Sequence, residues 1–346
     1  MVEEGSRLAT LHPDRPLAIS LGDPAGVGPE LLCEAWAARN PAGLPPFFVV
    51  GSAGILAGAA AARGLDVAIR AIDAPADAIP CFAEALPVLD IGELDYDPGQ
   101  PSDNGAQLAF QSLEVATGIV RGDGASALVT APVAKSQLAK VGFTPPGQTE
   151  YVAERCGIAA RNAVMLLFGP NLRVVPVTVH VPLAQVPALL SVEVIRSRTS
   201  IAAAGLTRDL GIHAPRIAVA GLNPHASEQG QFGGEEHELI EPAIAALVDD
   251  GFDVTGPHPA DGMFHRAARA RYDLAVCMYH DQALIPLKTL DFDEGVNMTL
   301  GLPIVRTSPD HGTAFSIAGK GIAHPGATIA AIRSAGEAAA RRAASG

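Results

Sequence analysis

The sequence has few cysteines, fewer basic than acidic residues, and no long uncharged apolar run. The four cysteines are Cys33, Cys81, Cys156 and Cys277. They show no Cys-x-x-Cys spacing and lie in apolar or helical segments, so we expect reduced thiols and no disulfide framework. The 24 Lys and Arg residues against 37 Asp and Glu residues give a formal charge of −13, which disfavours nucleic acid and anionic membranes as partners. An anionic substrate therefore needs a local positive site.

The N-terminal segment indicates neither export nor membrane insertion. It carries early acidic residues and lacks the apolar core of a signal peptide. No uncharged apolar stretch reaches the roughly 18 residues of a membrane span. We therefore expect a cytoplasmic protein with no membrane partner.

The length and the periodicity of the chain predict its fold class. A chain of 346 residues with 48% hydrophobic content can bury sizeable cores, and its length favours two domains. Short apolar segments that begin near residues 16, 47 and 127 are each followed by helical composition. This alternation predicts an α/β fold with a largely parallel sheet.

Three histidines stand at or just past the downstream end of an apolar, β-branched segment. They are His180, His225 and His280, and the segments are 174–182, 216–226 and 273–282. If the segments are neighbouring parallel strands, their carboxyl ends meet at one crevice. Three neutral imidazoles with an open fourth position are typical of a catalytic transition-metal site. One such histidine alone is more often a satisfied or N-capping residue, but three at equivalent positions favour a metal site.

The segment Gly22–Glu30, with the sequence GDPAGVGPE, follows a strand pattern and opens a helix. Its backbone N–H groups could therefore face an anion or a cofactor. It is not a Rossmann fingerprint, because the third small position is occupied by Leu31. A tight strand-to-helix turn without a ligand is the alternative.

A second glycine-containing loop, from Ser308 to Pro325, contains HGTA followed by AGKGIAHP. It resembles the adenosine-binding loop of the β-decarboxylating dehydrogenases, the isopropylmalate and isocitrate dehydrogenase group, and GDPAGVGPE is similar to their N-terminal turn. The resemblance implies two α/β/α lobes with mainly parallel sheets, isopropylmalate-dehydrogenase-like, and a cofactor that is NAD or NADP. Small residues would let the backbone approach the dinucleotide at Gly312, Thr313, Gly319 and Gly321. A plain loop is the alternative.

Motifs along nearly the whole chain resemble those of the 4-hydroxythreonine-4-phosphate dehydrogenase family of the pyridoxine pathway. They include TAPVAK, GQTEYVAE, GLNPHASE, MYHDQALIPLK and GVNMTLGLPIVRTSPDHGTA, in this order. The resemblance implies a metal-dependent oxidation of 4-phosphooxy-L-threonine with NAD or NADP. Decarboxylation to 3-amino-2-oxopropyl phosphate would follow, as a step of pyridoxine 5′-phosphate biosynthesis.

The resemblance also implies roles for individual residues. The three histidines would bind one divalent ion, which could be Zn, Co, Mn or Mg, with one histidine contributed across the interface of a homodimer. The small anionic phosphorylated substrate would contact Gln148, Thr149, Lys288, Asn297 and Arg306. The candidates for the general base are Lys288, Asp281 and a metal-bound water. From the sequence itself, Asp261 is a candidate to orient a ligand or to relay a proton, and capping of a local structure is an equally good interpretation.

The family also implies a discontinuous domain arrangement. The first α/β domain would comprise 1–140 with 307–346, and the second would comprise 141–306. The active site would lie in the interdomain cleft and at the dimer interface.

One residue departs from the family pattern and leaves alternatives open. The family has His where this chain has Gln148. Gln cannot carry a positive charge, so a charge-assisted bond to phosphate is lost there. A related dehydrogenase that acts on a sugar-acid phosphate or a dihydrodiol carboxylate is therefore one alternative. A His₃ metal hydrolase without a dinucleotide is a second, and a metal-binding module without catalysis is a third.

Overall fold

Apolar strands alternate with alanine-rich helices throughout residues 15–345, the part of the chain that the computed structural model describes. The strands are β1 Leu17–Ser20, β2 Phe47–Gly51, β3 Ile69–Ile72, β4 Leu86–Asp90, β5 Leu128–Thr130, β6 Val164–Phe168, β7 Arg173–Pro176, β8 Ile217–Ala220, β9 Val254–His258, β10 Leu274–Cys277, β11 Val296–Leu300 and β12 Arg306–Pro309. The helices are α1 Gly28–Ala37, α2 Arg39–Ala42, α3 Ala53–Ala62, α4 Ala78–Phe82, α5 Asp103–Arg121, α6 Lys135–Lys140, α7 Gln148–Arg155, α8 Val186–Leu189, α9 Val192–Leu210, α10 Glu241–Asp249, α11 Arg266–Arg269, α12 His280–Asp291 and α13 Gly326–Ser345. The predicted α/β class is confirmed.

The first of two compact units contains the described residues up to Ala160 and from Leu302 onward. Its strands follow the order β3-β4-β2-β1-β5-β12, and each neighbouring pair is parallel. Both β1 and β2 are buried along their whole length, as expected for parallel strands that helices cover on both faces. The largest fully buried side chains of this core include Phe47, Phe48 and Leu113.

The second unit, Arg161–Gly301, has the strand order β11-β6-β7-β10-β8-β9. The pairs β11–β6 and β6–β7 are antiparallel, whereas β7–β10, β10–β8 and β8–β9 are parallel. The three segments that end in histidines therefore form the adjacent strands β7, β10 and β8. The segments were predicted to be neighbouring parallel strands, and this is confirmed. Each histidine follows the carboxyl end of its strand.

The compact units divide the chain at other positions than the predicted domains. The segment 141–160 belongs to the first unit, because the ring of Tyr151 packs 5.7 Å from that of Phe110 and 5.5 Å from that of Phe143. The segment 302–306 also belongs to the first unit, where Arg342 donates to the Pro303 carbonyl at 2.8 Å. The predicted domain bounds therefore stay a prediction, and the compact units differ from them at these two segments.

The state of the cysteines and the character of the helices match what the composition predicts. All four cysteines are free thiols, and burial raises the pKa of Cys33 to about 12. No helix within residues 15–345 combines the length and the apolar composition needed to cross a bilayer. The cytoplasmic location stays a prediction.

Candidate functional site

Two of the three strand-end histidines face each other in the second unit. His180 follows β7, and His280 is the first residue of α12, directly after β10. Their ring centroids lie 5.6 Å apart. The hydroxyl of Thr178 donates to the carbonyl of Met278 at 2.8 Å and so ties the two histidine-bearing segments together. The pair opens into a cavity of about 260 Å³, which is also lined by Tyr279 and other residues of the same unit.

A carboxylate fixes the orientation of one of these rings. Nδ1 of His280 lies 2.7 Å from Oδ1 of Asp281. A metal-binding histidine commonly has its second nitrogen held by a carboxylate, which sets the tautomer and raises the basicity of the other nitrogen. Asp281 therefore orients His280 and leaves Nε2 as the nitrogen suited to a metal.

The third histidine does not join the pair within one chain. His225 lies in the turn Pro224–Glu228 after β8, and its ring centroid is 6.1 Å from that of Phe232. Among residues 15–345, no group of three His, Cys, Asp or Glu side chains is arranged to hold a metal ion. The segment before His225 forms β8, next to β10 as predicted, but His225 itself lies in the turn that follows this strand and is not grouped with His180 and His280.

A buried guanidinium forms a second cluster, in the first unit. Arg306 begins β12 and is 2% exposed. It donates to the hydroxyl of Thr149 at 3.1 Å and to that of Thr130 at 2.7 Å. These bonds hold the planar group at the first turn of α7, where backbone N–H groups and a helix dipole favour an anion.

The charges around Arg306 make this cluster a positive site in an acidic chain. Burial lowers the pKa of Arg306 to about 10, and the nearby carboxylate of Glu150 acts in the opposite direction. Because this value is well above neutral, Arg306 stays a cation. A Cβ on Gly147 would meet Oε2 of Glu150 at 2.9 Å and Cε of Lys135 at 3.4 Å, so glycine permits this close approach.

Gln148, where the resembling family has His, lies in the same cluster. Its Nε2 donates to the carbonyl of Ala131 at 3.3 Å. Its Oε1 is buried and has no hydrogen-bond partner among the described residues. The side chain therefore carries an acceptor that a bound molecule could satisfy.

Three further predicted residues lie on separate elements of the second unit. Nζ of Lys288, on α12, is 5.9 Å from the ring centroid of Phe292. Oδ1 of Asn297, on β11, is buried without a hydrogen-bond partner in the described part of the chain. Asp261 is exposed in the turn Ala260–Gly262. Of the three, Asn297 has the clearest unmet hydrogen-bonding capacity.

The two glycine-containing motifs contact each other in the first unit. The N–H of Val27 donates to the carbonyl of Thr313 at 2.9 Å, and a Cβ on Gly26 would lie 2.8 Å from that oxygen. Gly319 has φ +71°, and a Cβ there would lie 2.5 Å from Cγ of Pro98, whereas nothing lies within 4 Å of a Cβ on Gly312. Glycine at 319 is thus required by packing, and Gly312 leaves backbone open to a ligand.

Buried charges below this loop were not identified from the sequence. Arg63 forms an ion pair with Glu34 and donates to the carbonyl of Ala323 at 2.7 Å. Glu30 accepts a bond from the backbone of Gly319, and its burial raises its pKa. Gly321, which has φ +70° and is exposed like Gly312, lies between these two bonded residues, Gly319 and Ala323. The preformed loop and its exposed glycines fit a dinucleotide.

Two further residues of the arginine cluster were not predicted from the sequence. Thr130 ends β5 and Lys135 begins α6, and both belong to the motif TAPVAK. A threonine at a strand end has no distinctive pattern of its own, so its bond to Arg306 becomes visible only when β5 and β12 pair. The motif TAPVAK was the only sequence signal for Thr130 and Lys135, and it indicated no role for either residue.

The chain was compared with protein families and with proteins of known structure. A sequence model of the family described as pyridoxal phosphate biosynthetic protein PdxA matches residues 44–335. The 4-hydroxythreonine-4-phosphate dehydrogenase of Erythrobacter litoralis (strain HTCC2594) is 58% identical over 96% of this chain and 99% of that protein. The protein of the same name from Zymomonas mobilis is 50% identical over 92% and 94% of the two chains.

A solved structure gives the same result. The crystal structure of 4-hydroxythreonine-4-phosphate dehydrogenase from Klebsiella pneumoniae matches with a TM-score of 0.81 and 37% identity, over 95% of this chain and 98% of that chain. Sequence and structure agree over nearly the full length, so the chain belongs to the PdxA family of pyridoxal phosphate biosynthetic proteins.

Proposed function

We propose that this chain is an oxidoreductase that oxidises 4-phosphooxy-L-threonine with a nicotinamide cofactor in pyridoxine 5′-phosphate biosynthesis. The observation that carries the proposal is the near-full-length identity of 58% to a protein named 4-hydroxythreonine-4-phosphate dehydrogenase. The reaction removes a hydride from the secondary alcohol β to the carboxylate. Loss of CO₂ from the resulting β-keto acid gives 3-amino-2-oxopropyl phosphate.

The arginine cluster is the part of the molecule suited to the anionic group of this substrate. Arg306 is already oriented by Thr130 and Thr149 before any ligand binds. A guanidinium that is positioned in advance loses little side-chain entropy when it binds an oxyanion. We assign Arg306, Thr149 and Gln148 to substrate binding, with Asn297 as a further hydrogen-bonding contact.

The histidine pair fits a divalent metal that a second copy of the chain would complete. His180 and His280 are close to each other, and Asp281 orients the second ring. His225 is not grouped with them in one chain. We therefore infer a homodimer in which His225 of the partner subunit supplies the third ligand. Symmetric dimers repeat such a site twice.

A bound metal and a bound nicotinamide would supply the chemistry of the reaction, and the residues of the chain would position them and the substrate. A divalent metal supplies a Lewis acid for the reacting hydroxyl, and a nicotinamide supplies the hydride acceptor. The backbone at Gly312 and Gly321 would hold the dinucleotide. Asp281 is bonded to His280, so its role is orientation, and we assign removal of the hydroxyl proton to Lys288.

The first prediction tests the reaction itself. The metal-free protein, supplied with one of Zn²⁺, Co²⁺, Mn²⁺ or Mg²⁺, should form reduced nicotinamide from 4-phosphooxy-L-threonine with NAD⁺ or NADP⁺. A chelator or the substitution His280→Ala should abolish this formation, because the metal site loses its ion or a ligand. Absorbance of the reduced nicotinamide measures the rate.

The same assay separates the alternatives. Turnover of a sugar-acid phosphate or a dihydrodiol carboxylate, with none of the threonine phosphate, would replace the substrate and keep the chemistry. Hydrolysis without a nicotinamide would replace the chemistry by that of a metal hydrolase. Metal binding with no turnover of any of these compounds would leave a binding module.

The second prediction concerns the guanidinium. Arg306→Lys keeps the charge but cannot bond both threonine hydroxyls in one plane. It should raise the KM for 4-phosphooxy-L-threonine roughly 10- to 100-fold, the range for lost bonds to a charged group, with little change in the KM for the nicotinamide. Steady-state kinetics measure both constants. Arg155→Lys is the control: Arg155 is exposed at the end of α7, the helix that also carries Thr149, and pairs with Glu114, so this substitution should change neither constant. An unchanged substrate KM in Arg306→Lys would remove Arg306 from the binding site.

The third prediction concerns Gln148. In Gln148→His the side chain gains a positive charge as the pH falls through about 6.5, and a charge-assisted bond to phosphate is about twice as strong as a neutral one. The ratio of kcat/KM between variant and parent should therefore rise roughly fivefold from pH 8 to pH 6. Gln148→Asn, which adds no charge, should show a pH-independent ratio. A flat ratio for the histidine variant would place the phosphate elsewhere.

A further inference from the structure

The turn that carries His225 has an unusual backbone. Five consecutive non-glycine residues from His225 to Gln229 have positive φ values, from 44° to 71°. Side chains with a Cβ disfavour this left-handed region. Such a conformation persists where the surroundings impose it, and it is concentrated at functional sites. Something outside the turn must therefore hold it.

A buried carboxylate holds the entrance of the turn. Glu236 is 2% exposed, and its Oε1 accepts bonds from the backbone N–H groups of Leu222 at 2.8 Å and Asn223 at 2.7 Å. Its Oε2 accepts a bond from Nδ2 of Asn223 at 2.9 Å. The carboxylate lies at the start of the short π-helix Glu236–Ile240, a type of irregularity common at functional sites. One acidic side chain thus satisfies three donors just before His225.

The exit of the turn and the neighbouring strand are held separately. Oγ of Ser227 donates to the carbonyl of Gly233 and accepts from the N–H of Gly230, both at 2.8 Å. Nε2 of Gln282, on α12, donates to the carbonyl of Gly221 at 2.8 Å. The position of the turn is therefore linked to the helix that begins at His280.

We propose that Glu236 is a positioning residue for His225, which it keeps in the left-handed turn that presents the imidazole to the metal. The proposal rests on the proposed function, because it takes His225 to be a metal ligand. Glu236 does not touch the metal. It lowers the cost of binding, since the turn is already formed before the metal arrives. Outer contacts of this kind typically change metal affinity 10- to 100-fold.

The test measures the affinity of the full-length, metal-free protein for Co²⁺ alone, by titration calorimetry and by the visible spectrum of the bound ion. In Glu236→Gln the amide nitrogen meets the Asn223 donor, so the entrance loses at least one bond. We expect Co²⁺ binding to weaken roughly 10- to 100-fold. We also expect faster hydrogen exchange at the amides of Leu222 and Asn223 in the absence of metal, because their bonds to the neutral oxygen of Gln are no longer charge-assisted. Glu241→Gln, an exposed carboxylate on the following helix, should leave both unchanged.

A rescue variant separates positioning from general stability. Ala226 has φ +50°, a conformation that glycine adopts without steric cost. Ala226→Gly combined with Glu236→Gln should recover part of the lost Co²⁺ affinity. If Glu236→Gln does not fold, Asn223→Ala serves instead, because it removes the Nδ2 donor to Glu236 and Glu235 and keeps both backbone bonds to Glu236. It should weaken Co²⁺ binding in the same direction by a smaller factor.

The outcomes distinguish this proposal from the one on which it rests. Parent-like Co²⁺ affinity in Glu236→Gln, with binding lost in His225→Ala, would overturn the role of Glu236 and keep His225 as a ligand. Parent-like affinity in His225→Ala would overturn both. Unaltered exchange at Leu222 and Asn223 would show that Glu236 does not hold the turn.

Discussion

The candidate metal centre depends on the parallel pairing of three neighbouring strands. In the order β7-β10-β8 all three strands run in one direction, so their carboxyl ends lie on the same side of the sheet. Residues that are far apart in sequence thereby come close in space, which is why open α/β sheets bind ligands there. The loops that follow then decide the outcome. His180 and His280 converge, whereas His225 lies in a left-handed turn after β8 and is not grouped with them within one chain.

Electrostatics sets the second constraint. The chain has a formal charge of −13, yet its proposed substrate is an anion. Arg306 provides a local positive charge, since it stays protonated although burial lowers its pKa to about 10. Two threonine hydroxyls and the start of α7 surround it. A buried cation of this kind is costly unless it is hydrogen-bonded, and the hydrogen bonds of Arg306 to Thr130 and Thr149 offset that cost.

The sequence predicted the α/β class and the three strand-end positions because both follow from short periodic patterns. The family motifs added the chemistry of Arg306 and of the loop after Ser308. Contacts made by side chains without a motif could not be predicted. The bond that Arg306 donates to Thr130 exists only after two strands pair, and the bonds of Glu236 to Asn223 depend on an irregular helical turn. The position of the segment 141–160 in the first compact unit depends on aromatic packing around Tyr151, which no sequence pattern indicates.

The central claim is that two copies of the chain complete one metal centre, and subunit mixing tests it most directly. His280→Ala and His225→Ala should each be inactive as homodimers. When they are unfolded, mixed in equal amounts and refolded, half of the dimers combine both chains, and each of these has one intact site. Activity should then return to about a quarter of that of the parent protein. A mixture that stays inactive, although its chains exchange, would show that all three histidines act within a single chain.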